Sequence, residues 1–132
     1  MNMVGIVLVS HSYELVHGLQ QMLIQIQRDV PIAIAGGDED GGLGTSALKI
    51  KNAVEEVYSD KGVVILFDLG SAFLNTELAL EWIDKDKKVR IANAPLVEGA
   101  YGAVVQSGCG GTVEEVLRAA ERAKQLNKVP SL

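Results

Sequence analysis

Four short apolar runs punctuate the chain, and a helical pattern follows each. Residues 4–9, Val-Gly-Ile-Val-Leu-Val, show no polar alternation. Such a run predicts a strand covered on both faces, as at the centre of a parallel sheet. Leu15, Leu19, Met22, Leu23 and Ile26 then recur at helical spacing and predict an amphipathic helix to about Arg28. Glu14, His17, Gln21 and Arg28 occupy its opposite face, with Ile24 among them. Asp29-Val30-Pro31 stops that helix, and residues 32–35 form a second strand. Five glycines crowd residues 36–44, which therefore form a loop. Thr45 or Ser46 can cap a second helix, up to about Tyr58. Residues 63–67 are a third strand, 72–83 a third helix, 84–88 a charged turn and 89–92 a fourth strand. Pro95 suits a helix start, and the helix behind it carries Gly99, Ala100, Gly102 and Ala103 before a glycine-rich break at 107–111. Thr112 and Glu115 form a capping box for a last helix, with Val113, Val116, Leu117 and Ala120 inward.

Strands alternating with helices predict an α/β protein: a doubly wound, mostly parallel four-stranded sheet of order 2-1-3-4, helices on both faces. In that order the crevice opens at the carboxyl ends of the first and third strands, where the connections diverge to opposite faces. His11 ends the first strand and Asp68 the third. An imidazole and a carboxylate far apart in sequence are thus brought together. A carboxylate that accepts from one ring nitrogen fixes the tautomer and leaves the other nitrogen a lone pair. It also stabilises the positive charge that develops when that nitrogen is phosphorylated. Ser12 opens the first helix, Gly70-Ser71 the third, and Gly36-Gly37 end the second strand. Helix amino termini and glycine-rich turns direct N–H groups outward and bind anions. The candidate site is therefore His11 and Asp68 as reacting and orienting groups, with Ser12, Gly37, Gly70 and Ser71 around a phosphate.

Composition narrows the alternatives. A length of 132 residues suits one domain with a real core. No apolar run approaches the roughly 20 residues of a membrane span. The net charge of −5 argues against nucleic acid and anionic membrane surfaces. A single cysteine, Cys109, cannot pair within the chain, and Met1-Asn2-Met3 lacks the basic start of a secretory signal; both predict a cytoplasmic protein. No Gly-x-x-x-x-Gly-Lys-Ser/Thr stretch marks a P-loop, and Gly-Gly-Leu-Gly follows the second strand rather than the first, unlike a dinucleotide loop. No metal site and no permanently bound cofactor are expected. A receiver-like signalling domain would place Asp68 as its phosphorylated group, but it needs an acidic pair where Ser10-His11 stand. A flavodoxin-like binding module would need aromatic groups at the crevice, where only Tyr13 and Phe73 fall. Asp38, Glu39 and Asp40 should point away from a bound phosphoryl group, His17 should be solvated, Trp82 should be helix packing, and Cys109 is an incidental small residue. The small-residue helix around Gly99 to Ala103 is either tightly packed inside or a dimer face.

Three motifs carry a family resemblance: Val-Ser-His-Ser at 9–12, Gly-Gly-x-x-Asp-Gly-x-x-Gly-Thr-Ser at 36–46, and Phe-Asp-Leu-Gly-Ser at 67–71. In this order they resemble the phosphocarrier subunits of bacterial phosphoenolpyruvate-dependent dihydroxyacetone kinases, which are similar to the IIA domains of mannose-class sugar phosphotransferase systems. The resemblance spans essentially the whole chain as a single EIIA-mannose-type domain, 1–132. It implies that His11 accepts a phosphoryl group from HPr, through Nε2, as a transient phosphohistidine. Asp68 would hold Nδ1–H, Gly70 and Ser71 would contact the phosphate, and the loop at 36–46 would line the crevice. It further implies transfer to ADP held with magnesium on a DhaL subunit, whose ATP phosphorylates dihydroxyacetone bound by DhaK. HPr and the other subunits would be separate proteins, and this chain would be a homodimer. The alternative within the same fold is an EIIA component of a mannose-class sugar transporter.

Overall fold

A computed structural model describes residues 2–130. The elements run β1 (Gly5–Ser10), α1 (Tyr13–Ile26), β2 (Ile32–Gly36), α2 (Ala47–Val57), β3 (Val63–Phe67), α3 (Ala72–Glu81), β4 (Val89–Ile91), α4 (Leu96–Gly108) and α5 (Val113–Glu121), with a 3-10 turn at Arg122–Gln125. The four strands form one parallel sheet of order β2-β1-β3-β4. The expected doubly wound architecture, with strand order 2-1-3-4, is the one observed. Among the described residues no helix is long and apolar enough to cross a membrane.

The unbroken apolarity of β1 has a direct cause. Successive strand side chains point to opposite faces, and both faces here are covered. Ile6 and Leu8 join one core with Val64 and Leu66, beneath α1, α4 and α5. Val7 and Val9 join the other with Val63 and Ile65, beneath α2 and α3. All six residues of β1 are buried. Ser107 ties α4 to the start of this strand, its buried hydroxyl donating to the Val4 carbonyl at 2.6 Å.

Two readings of side-chain placement change, and one open alternative is decided. On α1 the buried positions are Val16, Leu19 and Leu23, whereas Leu15, Met22 and Ile26 are nearly half exposed. Val16 lies one residue beyond Leu15 and sits against Gly36 of β2. Trp82 is half exposed, since α3 stops at Glu81 and the indole lies at its cap rather than beneath it. The small residues of α4 are internal: a Cβ on Gly99 would lie 2.8 Å from Leu66 Cδ2, and one on Gly102 2.8 Å from the Ala119 carbonyl. They let α4 approach the sheet and α5. Cap chemistry follows the sequence, with Ser46 rather than Thr45 accepting from the Lys49 amide, and Thr112 and Glu115 forming both bonds of the capping box.

Gly36 sets how closely β2 approaches the start of α1. An added Cβ would lie 2.6 Å from Tyr13 Cα and 2.7 Å from Val16 Cγ2. Backbone cannot yield as a flexible side chain can. Gly36→Ala should destabilise the protein by about 1–3 kcal/mol, an overpacking cost readable as a lower urea midpoint at unchanged slope.

Candidate functional site

The site is assembled at the carboxyl ends of the two central strands. Ser10 ends β1 and His11 follows it, as Asp68 follows Phe67 at the end of β3. The strands pair in register through Val9 and Phe67, and the Asp68 amide continues the ladder by donating to the Val9 carbonyl at 3.1 Å. The carboxylate of Asp68 therefore faces the turn into α1.

Asp68 accepts four hydrogen bonds. The Ser10 hydroxyl donates to Oδ2 at 2.7 Å and the His11 amide to the same oxygen at 3.0 Å. The Leu69 amide donates to Oδ1 at 2.6 Å, and His11 Nδ1 lies 3.0 Å from Oδ1. Partial burial raises the carboxyl pKa, but the Ser10 hydroxyl, the His11 and Leu69 amides and the imidazole together outweigh it, so the pKa lies below its ordinary value. An ionised carboxylate only accepts, so the ring proton resides on Nδ1 and the lone pair on Nε2. Ser71 Oγ lies 2.9 Å from that Nε2, and the hydroxyl donates to it. The side chains of His11 and Asp68 are 25% and 14% exposed, so the ring is held within the rim while its outer edge stays accessible.

The four residues read as phosphate contacts fall into two groups. The Ser12 amide donates to Ser10 Oγ, and its hydroxyl caps α1 by accepting from the Leu15 amide. The Gly37 amide donates to the Ser10 carbonyl, extending the sheet, and Gly37 has a φ of +81°, where glycine is favoured. These two amides are already engaged. By contrast, the amides of Gly70 and Ser71 donate to no acceptor among the described residues, and both residues are exposed beside the imidazole.

The loop between β2 and α2 is fastened to the same place, which sequence reasoning did not reveal. Lys49 Nζ donates to the carbonyls of Asp38 at 2.6 Å and Gly36 at 3.3 Å. The Asn75 amide group donates to Thr45 Oγ1 at 2.7 Å, and the Gly44 amide to the His11 carbonyl at 3.0 Å. Asp38 turns its carboxylate to the Asp40 and Gly42 amides of its own loop, and Glu39 and Asp40 are exposed. Lysine and asparagine on a helix face carry no signal of such a tie, because their partners are backbone carbonyls and a hydroxyl far away in sequence. His17 is exposed and stacks on Tyr13, with ring centroids 5.5 Å apart.

The site lies at the switch point of a doubly wound sheet, and comparison with known proteins gives the family. Residues 5–117 match the EIIA-man family model, described as PTS system fructose IIA component. The phosphoryl donor subunit DhaM of PEP-dependent dihydroxyacetone kinase 2 from Listeria innocua is 43% identical over 119 residues, covering 88% of this chain and 95% of its own. DhaM from Providencia stuartii is 40% identical over 129 residues, or 93% of this chain; this chain spans 27% of that longer relative. Among solved structures, the unknown function protein EF1359 superposes with a TM-score of 0.82 at 35% identity, covering 92% of this chain and 95% of its own. The chain belongs to the EIIA-man family and, within it, to the DhaM phosphoryl donor subunits.

The Asp68 bonds have a pH signature. A carboxyl whose pKa is lowered by folding contributes stability in full above its ordinary value of 3.8, and that contribution is lost as pH falls through the lowered value. Unfolding midpoints should therefore decline below about pH 3.8. In Asp68→Asn this component should be missing, so the variant should lose less stability over the same acid range.

Proposed function

We propose that the chain is a phosphohistidine relay that takes a phosphoryl group from HPr onto His11 Nε2 and delivers it to ADP on a DhaL-type subunit. The observation that carries this reading is the imidazole fixed through Nδ1 by an ionised Asp68, with its Nε2 lone pair at the accessible rim. DhaM membership supplies the partners: its relatives are named as phosphoryl donor subunits of PEP-dependent dihydroxyacetone kinases.

In the uptake step Nε2 attacks phosphorus in line. The bond from phosphorus to the donor nitrogen breaks as the bond to Nε2 forms. His11 then carries positive charge, and Asp68, already bonded to Nδ1–H, stabilises it. The Ser71 hydroxyl must release Nε2 for this attack, and it is then placed to donate to a phosphoryl oxygen. The unengaged amides of Gly70 and Ser71 are two further donors at that edge. Ser12 and Gly37 act one layer back, holding the turn and the loop. Delivery reverses the attack, with an ADP oxygen as acceptor and magnesium held on the partner's side, so this chain contributes positioning and charge stabilisation. DhaK then receives the DhaL-bound product's phosphoryl group for dihydroxyacetone. The chain works as one domain, in the cytoplasm, as a homodimer.

Incubation with phosphoenolpyruvate, enzyme I and HPr should add about 80 Da to the protein, a phosphoryl adduct that is labile in acid and stable in base. His11→Ala should remain at its original mass. Addition of ADP-loaded DhaL should discharge the adduct and form ATP. Discharge to a mannose-type IIB domain instead would assign the chain to sugar uptake.

A further inference from the structure

The contact of Ser71 Oγ with His11 Nε2 is one that phosphoryl transfer to nitrogen does not require. Ser71 Oγ is 2.9 Å from His11 Nε2, and His11 Nδ1 is 3.0 Å from Asp68 Oδ1. The tautomer set by Asp68 makes the serine hydroxyl the donor to Nε2. This is the order of contacts that activates a serine: a general base on the hydroxyl and an orienting carboxylate on the base.

Three observations at the same place extend it. Ser71 is exposed at the start of α3, so an incoming group can reach Oγ. The Gly70 and Ser71 amides, one of them the nucleophile's own, are free to receive negative charge developing on a carbonyl oxygen. A cavity of about 510 Å³ lies beside them, lined by Phe67, Gly70, Phe73, Ile91, Ala92 and Asn93. Its walls are largely apolar, with the Phe67 and Phe73 rings tilted at 6.0 Å, and they suit a short hydrocarbon chain.

We infer that Ser71 is the nucleophile of a second, acyl-transfer activity of this site, directed at esters of short aliphatic carboxylic acids. Oγ attacks the carbonyl carbon while its proton passes to Nε2, and the carbonyl oxygen becomes the anion facing the two amides. The ester C–O bond breaks as Nε2–H protonates the departing alcohol, leaving an acyl-serine. Water, deprotonated by the same Nε2, attacks the acyl carbon and regenerates Ser71 and the free acid. The aliphatic chain of the acyl group occupies the phenylalanine-lined cavity. This chemistry stands on the unphosphorylated geometry and does not depend on the identity of any phosphoryl partner. Because both chemistries need the Nε2 lone pair, a phosphorylated His11 cannot act as the base.

The test uses the unphosphorylated full chain with p-nitrophenyl acetate and butyrate. The expected result is a burst of p-nitrophenol stoichiometric with protein and an acyl adduct mapped by mass spectrometry to Ser71. Ser71→Ala and His11→Gln should each lower the rate about 100-fold, the scale of a lost nucleophile or general base. Release by Ser71→Ala at the unmodified protein's rate would overturn the inference. So would an adduct confined to His11 or lysines, and this mapping needs no variant to fold. Phosphoryl uptake from HPr, measured on the same preparation, is a separate readout, so failure of either chemistry is distinguishable from failure of the other.

Discussion

The structure of the site depends on one ionised carboxylate. Asp68 accepts from a buried hydroxyl, two backbone amides and an imidazole, drawn from the ends of both central strands. A partly buried carboxylate is costly unless its oxygens are bonded. Four donors offset that cost and at the same time fix the positions of Ser10, His11 and Leu69. The carboxylate thereby joins the end of β1 to the turn after β3, one bond beyond the last pair of the sheet ladder. Position, tautomer and charge of His11 share this one origin.

The rest of the chain places that carboxylate. Two apolar cores pinch the central strands from opposite faces, so their ends have little freedom to shift. Connections leave β1 and β3 to opposite sides, and the crevice between them needs no dedicated insertion. The loop after β2 is then drawn across by Lys49, Asn75 and Gly44. Each of these ties runs from a helix or a loop to a fixed backbone or hydroxyl oxygen. Large apolar side chains rise from the same segments: Leu43 is 83% exposed and Leu69 60%. A rim tied down in this way, with apolar points, suits docking of a second protein.

Much of the fold was legible because its signals are local or periodic. Unalternated apolar runs marked the strands, and strand–helix alternation with the crossover rule left few orders, including the observed one. The pairing of His11 with Asp68 followed from topology alone. Other features required coordinates. The inner face of α1 is only partly legible: Leu19 and Leu23 are buried as the spacing predicts, but Val16, which sits against Gly36, completes the face in place of Leu15, Met22 and Ile26. Trp82 reads as helix packing from the sequence, whereas its place at the helix cap leaves it half exposed. Gly37 and Ser12 looked like free anion donors, since a sequence does not say which amides the Ser10 carbonyl and hydroxyl have already engaged.

Ser10 is wholly buried, and its hydroxyl gives one hydrogen to Asp68 while taking one from the Ser12 amide. Neither bond can be reversed, because a carboxylate has no hydrogen to give and an amide none to receive. The same logic runs along the other branch, from Asp68 through Nδ1 to Nε2 and the Ser71 hydroxyl. The hydrogens shared among Ser10, the Ser12 amide, Asp68 and Nδ1 therefore have a single arrangement, and only the exposed Ser71 hydroxyl is left to turn when a reactant arrives. Most of the ordering that a flexible polar pocket would undergo at that moment is here completed by the folding of the chain.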